Sequence, residues 1–108
     1  MSTTVLTEAD NEKALSVASG ETLVINLPEN PTTGYRWQLD SLDSRLIDVA
    51  GDSYIPSQGA KIGGGGTRTF TLHALSSGTV RISLKLKREW EPADTYASHF
   101  AIIVDVQS

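Results

Sequence analysis

Residues 79–88, TVRISLKLKR, set Val80, Ile82, Leu84 and Leu86 against Arg81, Ser83, Lys85 and Lys87. In a strand, this period of two sends one set to a core and the other to water. The same period recurs in ETLVINLP (Leu23, Ile25, Leu27), GYRWQL (Tyr35, Trp37, Leu39), RTFTLHAL (Phe70, Leu72, Ala74) and HFAIIVDV (Phe100, Ile102, Val104, Val106). Residues 3–6, 14–17 and 46–50 carry it more weakly, and turn-forming residues stand at 19–20, 40–44, 51–52 and 76–78. No segment has convincing helical periodicity. The pattern predicts an all-β chain: an immunoglobulin-like antiparallel β-sandwich of about seven to eight strands with Trp37 in its core.

A length of 108 residues suits one domain spanning 1–108. The net charge of -4, from 13 acidic and 9 basic residues, gives no electrostatic footprint for nucleic acid. No apolar run approaches the roughly 18 residues of a membrane span, so no membrane partner is expected. The opening MSTTVLTEADNEK has neither a basic nor an apolar signal region. As written the chain reads as cytoplasmic, or as periplasmic or secreted if a leader was trimmed, so localisation stays open. The absence of cysteine excludes a disulfide framework, a thiolate metal site and a cysteine nucleophile. His73 and His99, the two histidines, fall opposite the core-facing sets and in no metal-ligand spacing. With no nucleophile elbow and no carboxylate pair fixed by a motif, the chain reads as a non-enzyme without cofactor or metal.

If successive strands run in opposite directions, the connections after residue 27, before residue 67 and after residue 88 emerge at one end of the sandwich. They are NPTTG (30–34), KIGGGG (61–66) and REWEPADTYAS (88–98), the three least ordinary stretches of the chain. Taken alone, NPTTG reads most readily as a well-made turn: Pro31 fixes its own φ and biases Asn30 to extended geometry, and Gly34 tolerates positive φ. The glycines 63–66 are no phosphate cradle, because no Gly-Lys-Ser/Thr ending follows and TRTFTLHAL reads as a strand. They could let a backbone approach another surface closely, or form a loose connector. Trp90 could continue the even-numbered core set of 80–86. Its neighbours Glu89, Glu91 and Pro92 argue instead for an exposed anchor beside Arg88.

NPTTGY, GGGGT and REWEP, in that order, resemble the motifs of the chagasin-like inhibitors of papain-type cysteine peptidases. Those inhibitors carry N-P-T-T-G-[YF], G-x-G-G and R-P-[WF] on three loops of an immunoglobulin-like sandwich. The resemblance spans nearly the whole chain and implies a protease inhibitor, not an enzyme. Its expected partners are papain-like, cathepsin L-type cysteine peptidases, and a monomer is expected. By resemblance, Asn30, Pro31, Thr32, Thr33 and Gly34 enter the active-site cleft, with Thr32 beside the catalytic cysteine; Tyr35, next to them, is counted with the protease-binding residues, either touching the partner or anchoring the loop base. Gly63, Gly64, Gly65 and Gly66 run along the non-primed side. Trp90 packs on the primed side with Arg88 beside it. Glu89 stands where the family has Pro, which removes a φ lock and adds a rim charge. The alternative is a generic immunoglobulin-like interaction or adhesion module that binds a protein or sugar through the same loops.

Overall fold

The alternating segments close into eight strands in the computed structural model, which describes residues 3–30, 34–56, 65–88, 90–91 and 96–108. The strands are β1 (Thr3–Thr7), β2 (Ala14–Ala18), β3 (Thr22–Glu29), β4 (Tyr35–Ser41), β5 (Ile47–Pro56), β6 (Gly66–Ala74), β7 (Gly78–Arg88) and β8 (Ser98–Gln107). A single 3-10 turn, Glu8–Asp10, links β1 to β2. One sheet has the order β1-β3-β6-β5 and the other β2-β8-β7-β4, so the all-β sandwich expected from the alternation is present. Between the sheets lie the predicted inward sets. Leu23, Ile25 and Leu27 meet Phe70, Leu72 and Ala74 from one sheet, and Val80, Ile82, Leu84, Phe100, Ile102, Val104 and Val106 from the other. Trp37 joins them as the core tryptophan.

The central pairings are antiparallel, while β1 runs parallel to β3 and β2 parallel to β8. Alternation reports which face a residue takes and says nothing of strand direction. The N-terminal segment achieves both parallel pairings by switching sheets at the 3-10 turn. The switch is fastened to β8: the Glu12 amide donates to the Ala101 carbonyl at 2.7 Å, and the Ala101 amide donates to Asn11 Oδ1 at 2.8 Å. Ala101 is accordingly buried although Phe100 and Ile102, its neighbours, already face the core.

Four local expectations are corrected. The strand expected at 46–50 runs over 47–56, and residues 51–52 are not a turn: a register shift between Val49 and Gly51 absorbs one residue as a bulge and the ladder to β6 continues. Asp40 and Ser41, expected to turn, extend β4 past a second shift after Leu39. Leu39 is exposed, not core, because β4 is an edge strand and Leu39 lines a cleft of about 280 Å³ with Trp37, Val49 and Phe70. Ser83, expected to face water, is buried, with its hydroxyl 3.5 Å from Asp40 Oδ2.

Ile82 is fully buried at the centre of β7. Ile82→Ala is expected to lower stability by about 2–5 kcal/mol, read as a lower urea midpoint at unchanged slope. A cost below about 1 kcal/mol would contradict a close-packed centre.

Candidate functional site

The register fixes which loops share an end. Glu29, the last residue of β3, pairs with Gly66, the first of β6, and Gly66 also pairs with Pro56, the last of β5. In the other sheet Tyr35 opens β4 opposite Arg88, which closes β7, and Leu86 pairs with Ser98 at the start of β8. The connections β3–β4, β5–β6 and β7–β8 therefore leave from one end of the sandwich, as the antiparallel reading requires.

That end is built on two charges that the strands turn inward. The inward set of β3 ends in Glu29 after Leu23, Ile25 and Leu27, and the inward set of β6 begins with Gly66 and Arg68 before Phe70. Glu29 is buried, with a side-chain exposure of 0%, and that of Arg68 is 10%. An isolated ionised carboxylate in such a place would be strongly disfavoured, so its oxygens must be filled. Glu29 Oε2 accepts from Arg68 Nε at 3.1 Å and from its terminal nitrogen at 2.8 Å, while Oε1 accepts the backbone N–H of Trp37 at 2.7 Å. Trp37 returns the tie, its indole N–H donating to the Pro28 carbonyl at 2.8 Å. Both ends of the β3–β4 connection are thus clamped to each other across the two sheets. Toward the sheet edge, on the same face, the Arg68 guanidinium lies 5.6 Å from the ring centroid of Tyr54, its cross-strand partner, which brings β5 into the same assembly.

The third connection meets the first at Gly34. Gly34 has φ +81°, a left-handed conformation suited to glycine, and a Cβ there would stand 3.4 Å from the Trp90 ring and 3.8 Å from Arg88. Arg88 lies over the Tyr35 ring at 4.5 Å and 6.0 Å from that of Trp90. The turn carrying Trp90 is closed by the Glu91 amide donating to the Arg88 carbonyl at 3.1 Å. Trp90 itself is 75% exposed, which decides against its continuing the core face. The second connection meets the first at Gly65, where a Cβ would come within 3.3 Å of the Glu29 carbonyl oxygen.

A family model described as chagasin family peptidase inhibitor I42 matches residues 16–104. The chain belongs to the chagasin family. Chagasin of Trypanosoma cruzi is 31% identical over 102 residues, covering 90% of this chain and 92% of the relative. Amoebiasin-1 of Entamoeba histolytica is 33% identical over 104 residues, covering 94% and 98%. Among solved structures, the cysteine protease inhibitor EhICP2 from Entamoeba histolytica superposes with a TM-score of 0.88 at 25% identity, covering 99% of this chain and 97% of that one.

Of the residues that the chagasin-family motifs single out, Asn30, Gly34, Tyr35, Gly65, Gly66, Arg88 and Trp90 are described, and all stand at this one end. Pro31, Thr32, Thr33, Gly63, Gly64 and Glu89 lie outside the described residues. Tyr35 is half-buried beneath Arg88 at the base of the first connection. Of the two histidines, His73 is exposed, while His99, next to the third connection, has its ring 6.0 Å from that of Tyr96 and its Nε2 3.1 Å from Glu12 Oε1. Among the described residues no group of three His, Asp or Glu could hold a metal ion.

Sequence reasoning missed Glu29, Arg68 and Tyr54. The signal was available, since a lone Glu and a lone Arg each fall on the inward phase of an otherwise apolar alternation. Gly66 shows how tightly the end is assembled: a Cβ there would run into the Ile55 carbonyl oxygen and come within 2.6 Å of Tyr54 Oη. Gly66→Ala is expected to destabilise the fold by about 1–3 kcal/mol, the range of overpacking, with a thermal midpoint lowered by several degrees. An unchanged midpoint would contradict that close approach.

Proposed function

We propose that the chain is a reversible, tight-binding competitive inhibitor of papain-like cysteine peptidases, which blocks the active-site cleft with three loops, 30–34, 61–66 and 88–92. Residues 1–108 act as one inhibitor domain, with no catalytic residue of their own. The observation that carries the reading is the shared end: the three motif-bearing connections leave the same edge of a rigid sandwich, and an exposed Trp90 lies against Gly34. Membership of the chagasin family supports it.

A competitive inhibitor must fill a cleft without offering a peptide bond in attack geometry. A loop clamped at both ends does this at small ordering cost. In this reading Thr32 takes the place beside the catalytic cysteine, with Asn30, Pro31, Thr33 and Gly34 shaping the wedge. The peptidase nucleophile is a thiolate paired with an imidazolium, and a Thr hydroxyl can hydrogen-bond there but is a poor electrophile, so no covalent bond forms. Gly63, Gly64, Gly65 and Gly66 present backbone along the non-primed side, while Trp90 and Arg88 anchor the primed side. Three loops in one cleft bury on the order of 1,600 Å² in total, with most of the energy in a few anchors.

Titration of papain and a cathepsin L-type enzyme with the purified protein, with a trypsin-type enzyme as control, tests the reading. Stoichiometric, reversible inhibition of the cysteine enzymes alone is expected, and a folded protein that inhibits neither at micromolar concentration would overturn it. Thr32→Ala is expected to raise the inhibition constant roughly tenfold and more than Thr33→Ala does, as for an anchor side chain. Equal effects would contradict the assignment of Thr32. Glu89→Pro restores the family's φ lock and is expected to lower the inhibition constant by preorganising the third loop. An unchanged or higher constant would count against that role for Glu89.

A further inference from the structure

We propose that Glu29 and Arg68 are positioning residues of the inhibitory end, whose buried ion pair holds the first loop in binding geometry before a peptidase arrives. This role rests on the inhibitor reading above. Three buried polar or charged residues occur among the described ones, Glu29, Arg68 and Ser83, and two of them meet directly under the loops. Elsewhere along the same inward sets the residues are Leu23, Ile25, Leu27, Phe70, Leu72 and Ala74. A buried ion pair commonly stabilises no more than apolar residues of the same volume, so its placement calls for a second function.

The geometry supplies one. An apolar pair could fill the space but could not accept the Trp37 N–H, and that bond, with the indole bond to the Pro28 carbonyl, sets the separation of the two ends of the first loop. The guanidinium fixes where the accepting carboxylate sits, because both of its donated bonds go to Oε2 and leave Oε1 aimed at Trp37. Gly65 packs on the Glu29 carbonyl, so a shift of Glu29 is passed to the second loop as well. Without the pair the loops would sample several arrangements, of which one fits the cleft. The apparent affinity then falls by the fraction of molecules in that arrangement, and the loss is read in the association rate.

Glu29→Gln isolates this effect at constant size. An amide has one acceptor oxygen: turned to Trp37, it presents its NH2 to the guanidinium, and turned to Arg68, it leaves the Trp37 N–H without its partner. Val106→Ala, on β8 opposite Gly78 at the far end, is the control for stability alone. Stopped-flow association with papain is expected to slow about tenfold or more for Glu29→Gln and to stay at the wild-type rate for Val106→Ala. In the free proteins, amide exchange at Trp37 is expected to accelerate, and the Gly34 and Gly65 resonances to move, in Glu29→Gln only. Arg68→Lys keeps the cation without the fork and is expected to slow association by less, which serves as the test if Glu29→Gln does not fold. Wild-type association with unmoved Gly34 and Gly65 resonances, or equal slowing in Glu29→Gln and Val106→Ala, would overturn the proposal. If the wild-type protein leaves papain uninhibited, the inhibitor reading falls by itself, and the amide measurements still decide whether the pair positions the loop.

Discussion

The ion pair between Glu29 and Arg68 is the interaction on which the loop-bearing end depends. It joins β3 to β6 within one sheet, and through the Trp37 amide it joins that sheet to β4 of the other. Breaking such a pair by removing one partner leaves an uncompensated buried charge, typically a loss of about 3–5 kcal/mol. Its position concentrates that dependence where three connections emerge, so the stability of the scaffold and the geometry at the roots of those connections rest on the same few atoms.

Around that point the fold separates two tasks. The sandwich core, from Leu6 to Val106, resists deformation through close packing of apolar side chains. The connections carry the chemistry, and antiparallel pairing delivers alternate ones to a common end. Gly34 and Gly66 then let the parts approach: the first by a left-handed turn under Trp90, the second by the absence of a side chain against Ile55 and Tyr54. Arg88, set between Tyr35 and Trp90, couples the first and third connections through ring contacts. A rigid body that anchors the ends of its loops suits a cleft-filling inhibitor, because each residue ordered beforehand lowers the entropy lost on binding.

Most of this was legible in the sequence, and for physical reasons. Strands half exposed to solvent alternate, so the inward residues of β3, β6, β7 and β8 could be read directly. The motif order NPTTG, GGGG and REWEP named the loops, and antiparallel topology placed them together. Strand direction was not legible for β1 and β2, because the same alternation serves a parallel or an antiparallel neighbour. Bulges in β4 and β5 were hidden too, since Gly51 and Asp52 have turn chemistry that an edge strand tolerates. Leu39 shows the limit of alternation at an edge, where the inward face ends in an open cleft. Glu29 and Arg68 were passed over because charged residues at strand ends usually face water, and only their phase marks them as inward.

Amide hydrogen exchange of the protein, free and mixed with papain, tests the central claim most directly. The account predicts added protection at the loop-bearing end, residues 29–36, 61–66 and 88–98, with no change at the opposite turns, 19–20, 43–46 and 76–78. Protection centred on the opposite turns or on an outer sheet face would contradict it.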